Sequence, residues 1–330
     1  MRYLALFVLV LTPCSLFAGE KEERSAIERA LVILSNAVDN YPTHRKCFSC
    51  HHQALPLMAA SAAQKKGFAV EELGLQLHTR FTLETFQPYL DEITKGKRIG
   101  GGNTMAVYAL QTLQATNYPR TEVTTALVNF LLVRQAKDGS WPAVTQRPPT
   151  EGSSFTDSAL ALDSFKHYAD LKQEKIAESF ERGKKWLETH EPDSTEDRAF
   201  HLRGLVAANS PKELRDKAQE ALVKLQREDG GWGQLPKLGS DAYATGITLV
   251  ALKKAGLAPT SEVYRRGVAY LLKTQDKTGA WLVTTRSPPI QTYFDNGDPG
   301  GNLPRPGFQC RRGGDRGIRA AAALARRVLQ

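Results

Sequence analysis

Three reactive side chains within five residues pose the first chemical question. Cys47-Phe48-Ser49-Cys50-His51 sets two thiols three positions apart with an imidazole directly after the second. Thiols so spaced can add to the two vinyl groups of a haem, leaving the histidine to bind its iron as proximal ligand. Two other uses of the same residues stay open. The thiols can close as a disulfide in an oxidising compartment, and with His51 or His52 they can hold a zinc ion that lacks one further ligand. The remaining cysteines are Cys14, in an apolar leader, and Cys310, so no second pair completes a four-cysteine site. With haem bound, a distal ligand has to reach the opposite side of the iron. Met58 lies seven residues beyond His51, about 10.5 Å along the same helical face, and His52 points about 100° away. The distal candidates are therefore Met105, His78 and His44, the last expected in the preceding loop, or an open site. Met105 would raise the reduction potential, and an open site would admit a small ligand.

Among the acids, Asp157 and Asp241 are the candidates for a catalytic role. Each stands at or just past the expected start of a helix. Capping, and the favourable placement of a carboxylate at a helix N-terminus, accounts for both without chemistry.

The elements that position these residues are repeated. Gln135-Ala-Lys-Asp-Gly-Ser-Trp141, Gln226-Arg-Glu-Asp-Gly-Gly-Trp232 and Gln275-Asp-Lys-Thr-Gly-Ala-Trp281 each put glutamine six residues before tryptophan and glycine two before it. Each follows a stretch with leucines at helical spacing. Two are followed by segments that align without gaps, Ser154–Phe165 on Asp241–Leu252, rich in small residues and leucine. The unit is helix, Gly-Trp turn, loop, helix. The tryptophans are 91 and 49 residues apart, which gives a period of about 45–50 residues with one degenerate copy between the first two. Arg182–Leu187 followed by Arg198–Leu205 fits that copy, and Asn103–Leu113 fits the second helix of an earlier one. No segment alternates as a strand would. The chain reads as all-α.

The three turns resemble the QW repeats of squalene-hopene and oxidosqualene cyclases, a family that extends to protein prenyltransferase β-subunits. The likeness covers roughly residues 120–295 by motif and the preceding hundred by weaker pattern. It implies a closed α/α toroid, with an inner and an outer ring of helices and the tryptophans as packing staples. Residues 26–38 then read as an outer helix and residues 52–63 as an inner one. The cysteine motif occupies the slot of a Gly-Trp turn, at a mouth of the toroid, as in similar exported bacterial toroid proteins with an N-terminal Cys-x-x-Cys-His. The family's catalytic signatures are missing. Neither Asp-x-Asp-Asp nor Asp-Cys-Thr-Ala-Glu occurs, and with no cysteine between Cys50 and Cys310 the prenyltransferase zinc set has no counterpart.

The chain ends are of different material. Arg2 followed by apolar residues 3–11, Pro13 and small residues up to Ala18 is the layout of a secretory leader, too short to span a bilayer. Residues 1–18 are read as this leader, residues 19–300 as a single toroid, and export to a periplasm or cell envelope is expected. Residues 301–330 carry seven arginines against one acid and no lysine, and so hold +6 of the net charge of +9. This tail fits either a change of reading frame or a natural basic terminus. The rest is nearly neutral, which argues against a nucleic-acid partner. The primary expectation is an exported toroid with one haem c, serving electron transfer or redox handling of a lipophilic or small ligand. The alternatives are a terpenoid cyclase-type enzyme without haem, holding zinc or no cofactor, and a non-catalytic binding module.

Overall fold

The computed structural model describes residues 14–286 apart from positions 146 and 285, with side chains from Gly19 onward. Most of the leader (residues 1–13) and all of the basic tail lie outside the described residues.

Helices alternate between two rings. The outer helix α1 (Cys14–His44) leads through the cysteine motif into a π-helical turn, Cys50–Ala54, which continues directly as the inner helix α2 (Leu55–Lys65). The next outer element is broken into α3 (Glu72–Phe86), a 3-10 turn and α4 (Leu90–Thr94), and is followed by inner α5 (Gly102–Ala115). Three further pairs are regular: α6 (Glu122–Arg134) with α7 (Ser154–Tyr168), α8 (Glu174–Thr189) with α9 (Thr195–Ala207), and α10 (Lys212–Lys224) with α11 (Ala242–Lys254). Outer α12 (Glu262–Thr274) comes last. Among the described residues the sheet content is one antiparallel pair of two-residue strands, β1 (Trp232–Gly233) on β2 (Ser240–Asp241). Consecutive inner helices pack on one another, and α12 packs back on α1.

Composition explains which helix goes where. An inner helix is covered by two inner neighbours and by the outer ring, so it is buried nearly all round. In α7 this takes in Phe155, Leu160, Leu162 and Phe165, and also Asp157 and Ser158. Outer helices α10 and α12 bury a single stripe, Ala218 and Leu222 in the first, and Tyr264, Gly267 and Leu271 in the second, whereas α6 buries more of its surface. The degenerate copy is α8 with α9. Its Trp186 sits within the helix and packs on Phe155 at 4.7 Å between ring centroids.

The Gly-Trp turns tie each outer helix to the next. The indole N–H of Trp141, Trp232 and Trp281 donates to the carbonyl ten residues earlier, Leu131, Leu222 and Leu271, at 2.7–2.8 Å. The glutamine amide N–H donates to the carbonyl of its own turn glycine and also reaches the next outer helix. Gln135 bonds Ser179 O on α8, Gln226 bonds Val263 O on α12, and Gln275 bonds Ala26 O on α1, all at 2.8–2.9 Å. Gly139, Gly230 and Gly279 have φ of 97°, 84° and 94°. A Cβ there would fall within 2.6 Å of the backbone of the next outer helix. In the first two turns Asp138 and Asp229 accept from the backbone N–H of Ser140 and Gly231 at 2.9 Å, and in the third Asp276 takes over, accepting from the equivalent N–H of Ala280 at 3.2 Å.

Candidate functional site

The cysteine motif begins where α1 ends. His44 is the last residue of that helix rather than part of a loop, because Pro42 is accommodated within the last turn. Ser49 caps the π-helical turn, its hydroxyl accepting from His52 N at 3.2 Å. Capping at that point gives the two cysteines different surroundings. Cys47 stays outside the helix and exposed, with its sulfur 3.4 Å from the Tyr41 hydroxyl, while Cys50 opens the turn and is buried. Burial, and then the Cys47 sulfur, push the Tyr41 phenol well above its ordinary range.

Both cysteines and His51 line a cleft of about 650 Å³ at the end of the toroid where the inner helices start. Its far side is built from Phe86, Tyr89, Gly100, Gly101 and Met105. Met105 lies in the first turn of α5. A Cβ on Gly101, whose φ is 81°, would come within 2.5 Å of the Met105 side chain, so glycine there leaves the thioether its room. The structure thus gathers Cys47, Cys50, His51 and Met105 around one space. It places the other distal candidates elsewhere. His78 is held 2.7 Å from Asp39 on α1, and neither it nor His44 is among the described residues that line the cleft. Met58 is buried in α2, and His52 is buried and stacked on Tyr41 at 4.9 Å.

The cleft also holds a residue that sequence reasoning missed. Glu151, in the loop before α7, accepts a hydrogen bond from the Cys50 thiol at 3.0 Å, and its Oε1 lies 3.8 Å from His51 Nδ1. Arg147 Nη1 stands 3.8 Å from the other carboxylate oxygen. The loop is pinned by reciprocal backbone bonds between Arg147 and Glu151. Glu151 is 101 residues from Cys50, and no local pattern around it marks it out. Ligand atoms of Cys50, His51 and Glu151 lie within 4.8 Å of one another, so the three can also hold a metal ion of the zinc type.

A second group of carboxyls lies deeper, among the inner helices. Asp157 does not cap its helix. Ser153 does that, accepting from Thr156 N at 3.2 Å, and Asp157 instead accepts from the Thr104 hydroxyl of α5 at 2.8 Å. Burial pushes its carboxyl up to about 8, with the Thr104 bond opposing and the nearby Glu151 charge adding. Glu196, also missed from sequence, accepts from the Thr156 hydroxyl at 2.8 Å and is likewise pushed up to about 8, chiefly by burial. Asp241 does cap, accepting from Ala244 N at 2.8 Å. Its carboxyl is raised by burial against the pull of its own hydrogen bonds. Asp241 therefore caps as expected, whereas Asp157 keeps the expected first-turn placement but does not cap. One turn into the helix, its side chain points across to the neighbouring inner helix rather than back to its own backbone.

No family model matches the chain, and no curated protein matches it. Solved structures do. The type II terpene cyclase MstE from Scytonema aligns with a TM-score of 0.59 at 12% identity, over 94% of this chain and 97% of that one. A protein from Actinoplanes gives 0.60 at 13% identity over 93% and 98%, and a glycosidase gives 0.55 at 10% over 92% and 97%. With two rings of helices and the Gly-Trp ties, these likenesses define the class: an all-α, terpene cyclase-like α/α toroid. Among the described residues no helix is long and apolar enough to cross a membrane.

Proposed function

We propose that this chain is an exported toroid protein that binds one haem c covalently in the cleft at its mouth and passes electrons there. The supporting observation is that the walls of one cleft carry both thiols and the histidine of the attachment motif, and a methionine from a different repeat. These donors fit the group. Cys47 and Cys50 would form the thioethers, His51 would be the proximal ligand and Met105 the distal one. Bound haem would supply reversible one-electron chemistry at its iron. The chain's own residues account for the rest. Apolar Phe48, Phe86 and Ile93 exclude water from the inner wall, and Gly101 leaves the Met105 side chain its room. Exposed Cys47 leaves one edge of the cleft open to a redox partner or a lipophilic small molecule.

The test is a pyridine haemochrome spectrum of protein expressed with the cytochrome c maturation machinery. Covalent haem that survives denaturation and is lost in Cys47→Ser/Cys50→Ser is the expected result. A well-folded protein without it would leave a disulfide or a zinc ion at these residues.

A second reading, a terpenoid cyclase-type enzyme, has its own observation. Asp157 and Glu196 are buried carboxyls with values near 8, protonated at neutral pH and so able to act as general acids. Incubation with squalene and with polyprenyl diphosphates tests it. Cyclised products that vanish in Asp157→Asn or Glu196→Gln would put this reading first, and under the haem reading no such product forms.

A further inference from the structure

We infer that Glu151 is a positioning residue for the proximal ligand: it takes the Nδ1–H of His51, presents Nε2 to the iron and lowers the reduction potential. The inference rests on the haem reading. In the structure the Cys50 thiol donates to Glu151 Oε1 at 3.0 Å, while His51 Nδ1 lies 3.3 Å from the Cys50 sulfur and 3.8 Å from that same oxygen. Thioether formation changes this triangle. The S–H adds across a vinyl double bond, sulfur bonding to the carbon next to the ring and hydrogen going to the terminal carbon, with no electron gained or lost. Cys50 then has no proton to donate. The Nδ1–H of His51 is the next donor across, and a turn of the imidazole brings it onto Oε1.

Three features fit Glu151 for this role. Its side chain is 6% exposed, so a bond made to it is poorly screened by water. Its backbone is fixed by the reciprocal pairing with Arg147, and the Arg147 guanidinium faces its second oxygen, Oε2, while Oε1 is the oxygen on the His51 side. A ligating histidine whose second nitrogen donates to a carboxylate is held in one tautomer and orientation and becomes a more basic ligand. A more basic axial ligand favours the oxidised iron.

The experiment uses the haem-loaded protein. Reduction potentials are measured for wild type, Glu151→Gln, Glu151→Asp and Arg147→Gln, and the His51 Nδ1–H proton is followed by ¹H–¹⁵N NMR of ferrous protein labelled on histidine. Glu151→Gln is expected to raise the potential and to move that proton upfield with faster exchange, and Glu151→Asp to recover part of both. Arg147→Gln frees the carboxylate to pull harder on the proton and is expected to lower the potential. Values in Glu151→Gln equal to wild type would overturn the inference. Should that variant fail to fold, an unchanged potential in Arg147→Gln would overturn it equally. Wild-type protein lacking covalent haem is a separate outcome, which removes the haem reading and this inference together.

Discussion

At the scale of single residues, two carboxyls in the toroid are governed by burial rather than by partners. Asp157 and Glu196 each accept one hydroxyl bond, which favours their charged form, yet both rise to about 8, so the loss of water outweighs the bond. Their effect on stability has a definite sign. The unfolded chain releases these protons near pH 4, whereas the folded chain holds them until about pH 8. The contribution is therefore full below pH 4, is lost as pH rises through this window, and changes no further above it. Each group gives a slope of about 1.4 kcal/mol per pH unit in that range. Asp157→Asn keeps the shape and removes one titration, so its stability measured by urea unfolding should fall less steeply than wild type between pH 5 and 8. Equal slopes would show that Asp157 is ionised in the fold. Met105 gives a second test. Under the proposed haem reading, the ferrous Met105→Ala protein should bind carbon monoxide readily where wild type resists it. Met58→Ala, His44→Ala and His78→Ala should leave that resistance intact, because those side chains lie elsewhere.

Elements are joined by one repeated device, the Gly-Trp turn. The indole N–H closes on its own helix, the glutamine reaches to the next one, and the glycine lets the two backbones approach. Trp232 is fully buried, and Trp232→Ala should cost about 3–5 kcal/mol by thermal or urea unfolding. Gln275→Ala removes three hydrogen bonds, two of them to α1 (Ala26 O and the Arg29 guanidinium), and should cost about 1–3 kcal/mol. Gly279→Val should cost more than Gln275→Ala. Valine cannot adopt φ of 94° without strain, and its Cβ would meet Arg29 backbone atoms within 2.6 Å. If all three prove neutral, the turns are not what holds adjacent outer helices together.

For the molecule as a whole, ring closure separates this fold from an open solenoid. In an open array each repeat touches only its neighbours, and ends can fray independently. Here Gln275, at the end of α12, bonds to Ala26, and its Oε1 accepts from Arg29, both on α1 and about 250 residues earlier in the chain. A change at this seam should be felt throughout. Calorimetry of Gln275→Ala is expected to show one transition at a lower Tm, whereas an early separate transition from α1 would mean that the ring is not cooperative. Export belongs to this scale too. Mass spectrometry of protein secreted by a bacterial host should give a mature chain starting near Gly19, and an intact Met1 would defeat the expectation.

Periodicity alone determined the all-α class, the helix pairs and the fitting of the degenerate copy, because a toroid repeat carries its instructions locally. A glutamine, a glycine and a tryptophan at fixed offsets specify a turn whatever lies elsewhere in the chain. The Cys47–His51 cluster was legible for the same reason, all its atoms lying within five residues. What the tertiary structure alone decided are relations between repeats. Nothing near Glu151 announces that a thiol 101 residues away donates to it, and nothing near Glu196 tells that Thr156 will cover it. Asp157 reads from sequence as a carboxylate near a helix start, and only the packing of α5 against α7 shows its carboxyl turned to Thr104. That Met105, of the expected distal candidates, lies on the wall of the cysteine cleft is of the same kind. Sequence sets which side chains exist, but the cleft that collects four of them forms only when the first, second and third helix pairs meet at one end of the ring.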